Sequence, residues 1–458
     1  MRTPFSPAIA LSFSLLFAST ARAQHEGHGG MPADTMDHAA MMAPGPLGIP
    51  QTREGSGTSW LPDASPMYAI HSQAGPWSLM LHGNLFLQYI NQGSERGDEQ
   101  FGSINWVMGM GKRPLAGGDI ALRAMLSAEP WTIPGCGYPI LLATGELCDG
   151  EPIVDAQHPH DLFMELAAEY QREMTDDLAF QLYGGPVGEP ALGPTAFPHR
   201  ISALANPLAP ISHHWFDATH IAFGVVTGGV YGRQWKVEGS LFNGREPDEE
   251  RTGIDLAPLT SYSGRVWWLP SGNWALQVSG AQINEAEPGH EPGEPRIDVN
   301  RYTTSATYHQ PLAGGGIWAT TAALGRNVEE GTGTNALLLE SSLNLNNRNI
   351  FFGRAEWTEK PGHDLALEDH ALEEEVFSVG TVALGYTRQF GPFGSWLPGI
   401  GARASVSLLP EDLEPFYGER YPMGFTIFAS FRPAPMRMGH GMGSMPMEHG
   451  DMPMQHDR

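Results

Sequence analysis

The stretch Trp77-Ser-Leu-Met-Leu-His-Gly-Asn-Leu-Phe-Leu-Gln-Tyr89 alternates in polarity. Trp77, Leu79, Leu81, Leu85, Leu87 and Tyr89 fall on one side of an extended chain, and Ser78, His82, Asn84 and Gln88 on the other. Period two over this length marks a β-strand between two unlike environments. The pattern recurs. In Ala121–Glu129, Leu122, Ala124, Leu126 and Ala128 oppose Arg123, Ser127 and Glu129, with Met125 the one apolar member of the second face. Trp235, Val237 and Leu241 oppose Gln234, Lys236, Glu238 and Ser240. In Asp161–Arg172, Leu162, Met164, Leu166, Ala168 and Tyr170 oppose Asp161, Glu165, Glu169 and Gln171. Its Ala, Glu and Leu would also suit a helix, but the alternation favours a strand.

About sixteen such segments run from 77–90 to 423–432. The connections between them alternate in length. Those at 91–102, 130–160, 186–217, 244–261, 285–300, 359–374 and 410–422 are long, and those at 113–117, 173–177, 229–232, 271–272, 310–315 and 345–347 are short. Short turns at one end and long loops at the other, over an even number of strands, predict an all-β fold: an antiparallel transmembrane β-barrel of about sixteen strands in a bacterial outer membrane. Trp77, Tyr89, Trp106, Trp235, Trp267, Trp268, Trp274, Trp318 and Trp357 lie near strand ends, where an interfacial girdle would place them. The alternative is a secreted β-sandwich or propeller. One feature departs from the barrel pattern: the last strand, Gly424–Phe431, is followed by a further tail rather than ending the chain.

The chain has 458 residues and a net charge of −25, from 51 acidic and 26 basic residues, which argues against a nucleic-acid partner. Met-Arg-Thr-Pro, an apolar run from Ala8 to Ala18 and Ala21-Arg-Ala23 read as a signal peptide over 1–23. Cys136 and Cys148 are expected to form a disulfide in an oxidising compartment. The expected organisation is a disordered segment over 24–70, the barrel over 71–432 and a tail over 433–458.

Both ends are rich in Met and His. The first holds His25, His28, Met31, Met36, His38, Met41 and Met42. The second holds Met436, Met438, His440, Met442, Met445, Met447, His449, Met452, Met454 and His456. Thioethers are soft donors and imidazoles borderline ones, so these tails suit copper or silver ions; a solvated tail of accidental composition is the plain alternative.

Two inner segments look least like scaffold: Asp155-Ala-Gln-His-Pro-His-Asp-Leu-Phe-Met-Glu165 and Ser212-His-His-Trp-Phe-Asp-Ala-Thr-His220. Loop parity puts His158, His160, Asp161, His199, His213, His214 and Asp217 at one mouth of the barrel. There they meet the acidic run Gly244–Arg251. His220 is expected to open the next strand facing inward, with Glu165 and Glu169 lining the lumen below. The Pro- and Ala-rich loop over 188–210 is expected to fold into the mouth. His158, His160, Asp161, Glu165, His199, His213, His214, Asp217 and His220 could build a mixed N/O metal site. They could equally form a salt-bridged network that stiffens the barrel. A catalytic serine, Ser202 or Ser212 beside His213 or His214, lacks the Gly-x-Ser-x-Gly context, and no enzyme is expected.

The segments Ser56–Met67, Gln157–Glu165, Gly188–Pro194, His213–His220 and Gly244–Glu249 resemble those of an uncharacterised bacterial outer-membrane β-barrel family. That likeness covers most of 56–330 and implies no activity. More loosely, a Met/His-rich segment ahead of a barrel is similar in architecture to the outer-membrane copper-resistance protein family, which would imply copper handling. The expected function is therefore a barrel that binds or conducts copper or silver, with the bilayer, metal ions and a periplasmic metal-carrier protein as partners. A general porin or small-solute channel is the alternative, and a barrel-embedded hydrolase the third reading.

Overall fold

The structure, a computed structural model, describes residues 44–289, 295–367, 369 and 371–435. Its strands in chain order are β1 (Ile70–Ala74), β2 (Trp77–Gln92), β3 (Glu99–Leu115), β4 (Gly118–Leu126), β5 (Tyr138–Cys148), β6 (Glu151–Gln157), β7 (Phe163–Thr175), β8 (Leu178–Val187), β9 (Val225–Tyr231) and β10 (Trp235–Phe242). They continue with β11 (Ser261–Trp268), β12 (Trp274–Glu287), β13 (Ile297–Pro311), β14 (Ile317–Glu329), β15 (Thr332–Leu345), β16 (Asn349–Pro361), β17 (Val376–Gln389), β18 (Trp396–Leu408) and β19 (Met423–Pro433).

Sixteen of these, β2–β4 and β7–β19, form one antiparallel sheet in which each strand pairs with the next, β4 pairing directly with β7. The sheet closes where β19 returns to β2, in register from Gly424↔Gln92 to Phe431↔Leu85. Closure leaves no edge, which is the condition for a sheet to sit in lipid. β1 pairs with the first residues of β2, and Tyr68 bridges Pro435, so both ends of the described chain lie at the short-turn end.

Side-chain alternation sets the two faces. In β10, Trp235, Val237 and Leu241 are exposed, while Lys236, Glu238 and Ser240 are buried. Leu324, Leu339, Leu384, Ile400 and Ile427 continue the outward apolar belt. A belt of this extent around a closed sheet is the lipid-facing surface of a membrane barrel. Trp235, Trp268, Trp274 and Trp318 are exposed near the short-turn end, as an interfacial ring requires. Trp106 and Trp267, expected in that ring, instead point inward and are buried.

Loop lengths alternate as expected, with one exception. Between β14 and β15, at the long-loop end, only Glu330 and Gly331 intervene, both at positive φ (47° and 90°), the geometry that a two-residue hairpin turn demands. The connection between β4 and β7 carries its own hairpin, β5–β6, tied by a Cys136–Cys148 disulfide with the Cα atoms 5.7 Å apart.

Residues 44–69 correct the expectation of a disordered segment reaching residue 70. They are folded, with Trp60 and Leu61 buried. His220 is also corrected: it closes a short 3-10 turn (Ala218–His220), and the next strand starts only at Val225.

If the belt faces lipid, the cost of a charge on it should depend on depth. Leu339→Arg, near mid-strand in β15, should destabilise the barrel by roughly 2–4 kcal/mol, and Leu345→Arg at the strand end by about 0–1 kcal/mol. Reversible urea unfolding in bilayers measures both; equal costs would contradict the belt.

Candidate functional site

Two segments enter the barrel from opposite ends and meet inside it. The first is 44–69, from the short-turn end. Arg53 forms a bidentate pair with Asp63 (2.6 and 2.8 Å) and donates to the Arg233 carbonyl in the β9–β10 turn (2.6 Å). The Leu47 amide donates to Glu173 of β7 (2.6 Å), and Ser65 bonds His309 of β13 (2.8 Å). Lumen-facing cations take up the backbone of this segment: Arg123 donates to the Gly57 carbonyl, and Lys236 to that of Thr58. Lys236 and Arg53 also lie 4.6 and 4.9 Å from the Trp60 ring centroid, within cation–π range.

The second segment is the β8–β9 connection, 188–224, from the long-loop end. Its inward fold agrees with the Pro-rich reading. Arg200 is wholly buried; it bonds Glu340 of β15 through Nε (2.5 Å) and Asp217 through Nη1 (2.9 Å). Arg354 of β16 reaches the other oxygen of Glu340 (3.2 Å) and donates to the Leu208 carbonyl (2.8 Å). The amides of Ala191 and Gly193 donate to Ser240 and Ser279 on the wall (2.7 and 2.9 Å). The two segments touch where the Ala196 amide donates to Ser56 Oγ (2.8 Å). Together they constrict the lumen.

Several of the sequence-derived site residues gather at the mouth. Ring centroids of His160 and His213 lie 5.4 and 5.3 Å from that of His220, and His214 lies 5.6 Å from His213. Phe197 packs among them. Three of the four Nδ1 atoms find an oxygen: His160 that of Glu129 (2.9 Å), His213 that of Asp217 (2.9 Å), His220 the Asp217 carbonyl (2.7 Å). His158 Nε2 lies 2.9 Å from Glu146, and Asp161 lies 3.6 Å from Arg251. These contacts have the form of the network weighed against a metal site.

Glu165 and His199 stand apart from this group. Glu165 accepts from Tyr183 (2.8 Å) inside the barrel, and His199 Nε2 lies 3.4 Å from Met125 Sδ. Glu169 pairs with Arg123 on the same inner wall. Ser202 donates to Glu340 and Ser212 to Glu356 (2.8 and 2.7 Å), so both candidate nucleophiles are bonded to carboxylates. The tail residues Met436, Met438, His440, Met442, Met445, Met447 and His449, and the amino-terminal Met and His up to Met42, lie outside the described residues.

Three carboxylates that hold the mouth were not anticipated as partners: Glu129, Glu146 and Glu287. Alternation had already turned Glu129 inward, but nothing in the sequence pairs it with His160. Ligand atoms of His214, Glu246 and Glu287 lie within 4.8 Å of one another, and His214 Nε2 is buried without a hydrogen-bond partner among the described residues. That set could hold a borderline divalent cation.

Charges in the loops are shifted in both directions. Burial, then the neighbouring His213, push the His214 and His220 imidazoles well below their ordinary value, and burial lowers His213 too. Burial raises Asp161 to about 7 and Glu189 to about 8, and Glu246 well above the carboxylate range. Burial also opposes ionisation of Asp217 and Glu146. Arg200 with His213 outweighs it for Asp217, which is lowered, and His158 with Arg251 does so for Glu146, lowered to about 2.

No protein-family profile and no curated protein matches the chain, so neither family resemblance gains a match. Among solved structures, it is similar to an anion-selective porin from Comamonas acidovorans (11% identity, 78% of this chain and 99% of that chain, TM-score 0.47). It is also similar to Salmonella typhi OmpF in complex with daunomycin (8%, 79% and 100%, 0.47) and to Pseudomonas putida OprB (9%, 78% and 94%, 0.47). The barrel assignment rests on this chain's own strand pairing.

The pH dependence follows from the signs. Histidines with depressed values lose stability as pH falls below about 6.5, because only the unfolded chain takes up those protons. Carboxylates with raised values gain stability over the same range, which offsets the loss. Asp217 and Glu146, with lowered values, contribute stability that is lost once pH falls below about 4. Hydrogen-exchange protection of 188–224, corrected for intrinsic rates, should therefore hold to about pH 5 and collapse below about pH 4. Steady loss from pH 7 downward would contradict this balance.

Proposed function

We propose that the chain is an outer-membrane channel for small polar solutes, restricted by its own inward-folded segments. One observation carries the reading: the inner wall of a lipid-belted barrel carries many hydroxyls and charges of both signs among its apolar side chains. Thr303, Thr321, Ser342, Thr381, Ser405 and Thr426 line it between the charged residues, all buried. A barrel serving only as a membrane anchor could fill its interior with apolar side chains; hydroxyls and charges suit a hydrated path.

Among the described residues the fully buried charges are ten cations and ten anions, so the deeper interior is balanced in sign. Selection would then rest on size and hydrogen bonding. The 188–224 segment is held to the wall by ion pairs and hydrogen bonds as well as by packing, and such contacts can be exchanged for solute contacts.

A second reading, capture of a divalent cation at the mouth, is favoured by the convergence of His214, Glu246 and Glu287. Copper or silver handling through the tails, with a periplasmic carrier as partner, stays a proposal that rests on residues outside those described.

Single-channel recording in planar bilayers tests the main reading. The wild type should give small conductance steps, and Arg200→Ala, which frees the loop from Glu340 and Asp217, should raise conductance several-fold. A variant that folds yet conducts no more than the wild type, with no steps from either, would overturn it. Zinc block of the wild type that His214→Ala abolishes would support the mouth site.

A further inference from the structure

A cavity of about 120 Å³ lies in the barrel beside the constriction, and neither the channel reading nor the mouth cluster uses it. Its lining includes His71, His82, His199, Met80, Met108 and Met110. Strand register explains how residues so far apart converge. His71 pairs with Met80 across β1–β2, and Met80 with Met110 across β2–β3. One step along, His82 pairs with Met108, and Met108 with Met125 of β4. Direct cross-strand partners share a face, and positions two apart on a strand share it too. Two adjacent rows, each one imidazole followed by two thioethers, therefore line one inner surface.

The constricting loop closes this surface from above. His199 Nε2 sits 3.4 Å from Met125 Sδ, and its ring centroid lies 5.4 Å from His82 and 4.9 Å from Trp106. The Nε2 atoms of His71 and His82 are buried and have no hydrogen-bond partner among the described residues. Buried imidazole nitrogens are ordinarily satisfied, so two such atoms among thioethers call for an explanation. The surroundings disfavour hard, highly charged ions. Among the described residues Glu54 is the one carboxylate on the lining and already faces Lys112 (3.8 Å), while Arg432 also lines the cavity and stacks on Tyr68 (4.2 Å to the ring centroid).

We propose that this chamber binds a soft monovalent metal ion, silver(I) or copper(I), which takes its few ligands from among the imidazoles of His71, His82 and His199 and the thioethers of Met80, Met108, Met110 and Met125. Neutral sulfur and nitrogen donors match such an ion, and a site without a free carboxylate discriminates against zinc, calcium and magnesium. The site is independent of the tails and of the mouth cluster. It does not require that the barrel conduct.

The test uses the full chain, purified without an affinity tag and loaded with silver(I), with the excess removed. Crystals should show an anomalous peak inside the chamber, between His82 and Met108. The double variant Met108→Leu/Met110→Leu conserves side-chain volume, and its folding is checked by its heat-modifiable mobility on gels. It should lose that peak while silver bound elsewhere on the chain is retained. Silver found only outside the chamber in the wild type would overturn the proposal, as would a chamber peak that survives in the double variant.

Discussion

The backbone seam between β19 and β2 is the constraint on which the rest of the structure depends. Eight residue pairs, from Gly424↔Gln92 to Phe431↔Leu85, turn an open sheet into a barrel. In lipid an unpaired strand edge costs several kcal/mol per backbone group, so closure makes every other arrangement affordable. Once closed, the sheet has one face for lipid and one for everything else. Its alternation then dictates that Lys236, Glu238, Arg265 and Glu340 share an interior and must find partners there.

Those partners come from both ends. Buried charges left single are costly, and here they bind the backbone and side chains of 44–69 and 188–224. The interior is therefore held by its polar groups together with several separate apolar clusters, the largest running from Ile90 through Tyr138 and Leu208 to Tyr417. The same logic applies at the mouth, where each of His158, His160 and His213 leans on a carboxylate.

Much of the barrel was legible in the sequence, because its lipid belt writes period two directly into each strand. The strand count, the alternation of loop lengths, the inward side of Glu165 and Glu169 and the gathering of His158, His160, His213 and His214 at the mouth followed from it, whereas His199, expected there too, lies deeper against His82 and Met125. What was not legible has a common physical cause. Ser56-Gly-Thr-Ser-Trp60 is buried by the wall's charged side chains and not by its own apolar pattern, so it read as disordered. Trp267 sits near a strand end like a girdle residue and Trp106 lies in mid-strand, and parity turns both inward. The Met/His rows depend on register between β1, β2, β3 and β4, which no single strand reveals. His220 lies in a turn because Gly188 and Ala222 bridge before the strand begins.

The central claim is that two segments from opposite ends of the barrel meet within it. Ser56 and Ala196 mark the meeting point. A Ser56→Cys/Ala196→Cys variant, oxidised in native membranes, should form a disulfide that shifts electrophoretic mobility and leaves neither new thiol open to a membrane-impermeant label. Two free thiols that both react with the label would contradict the account.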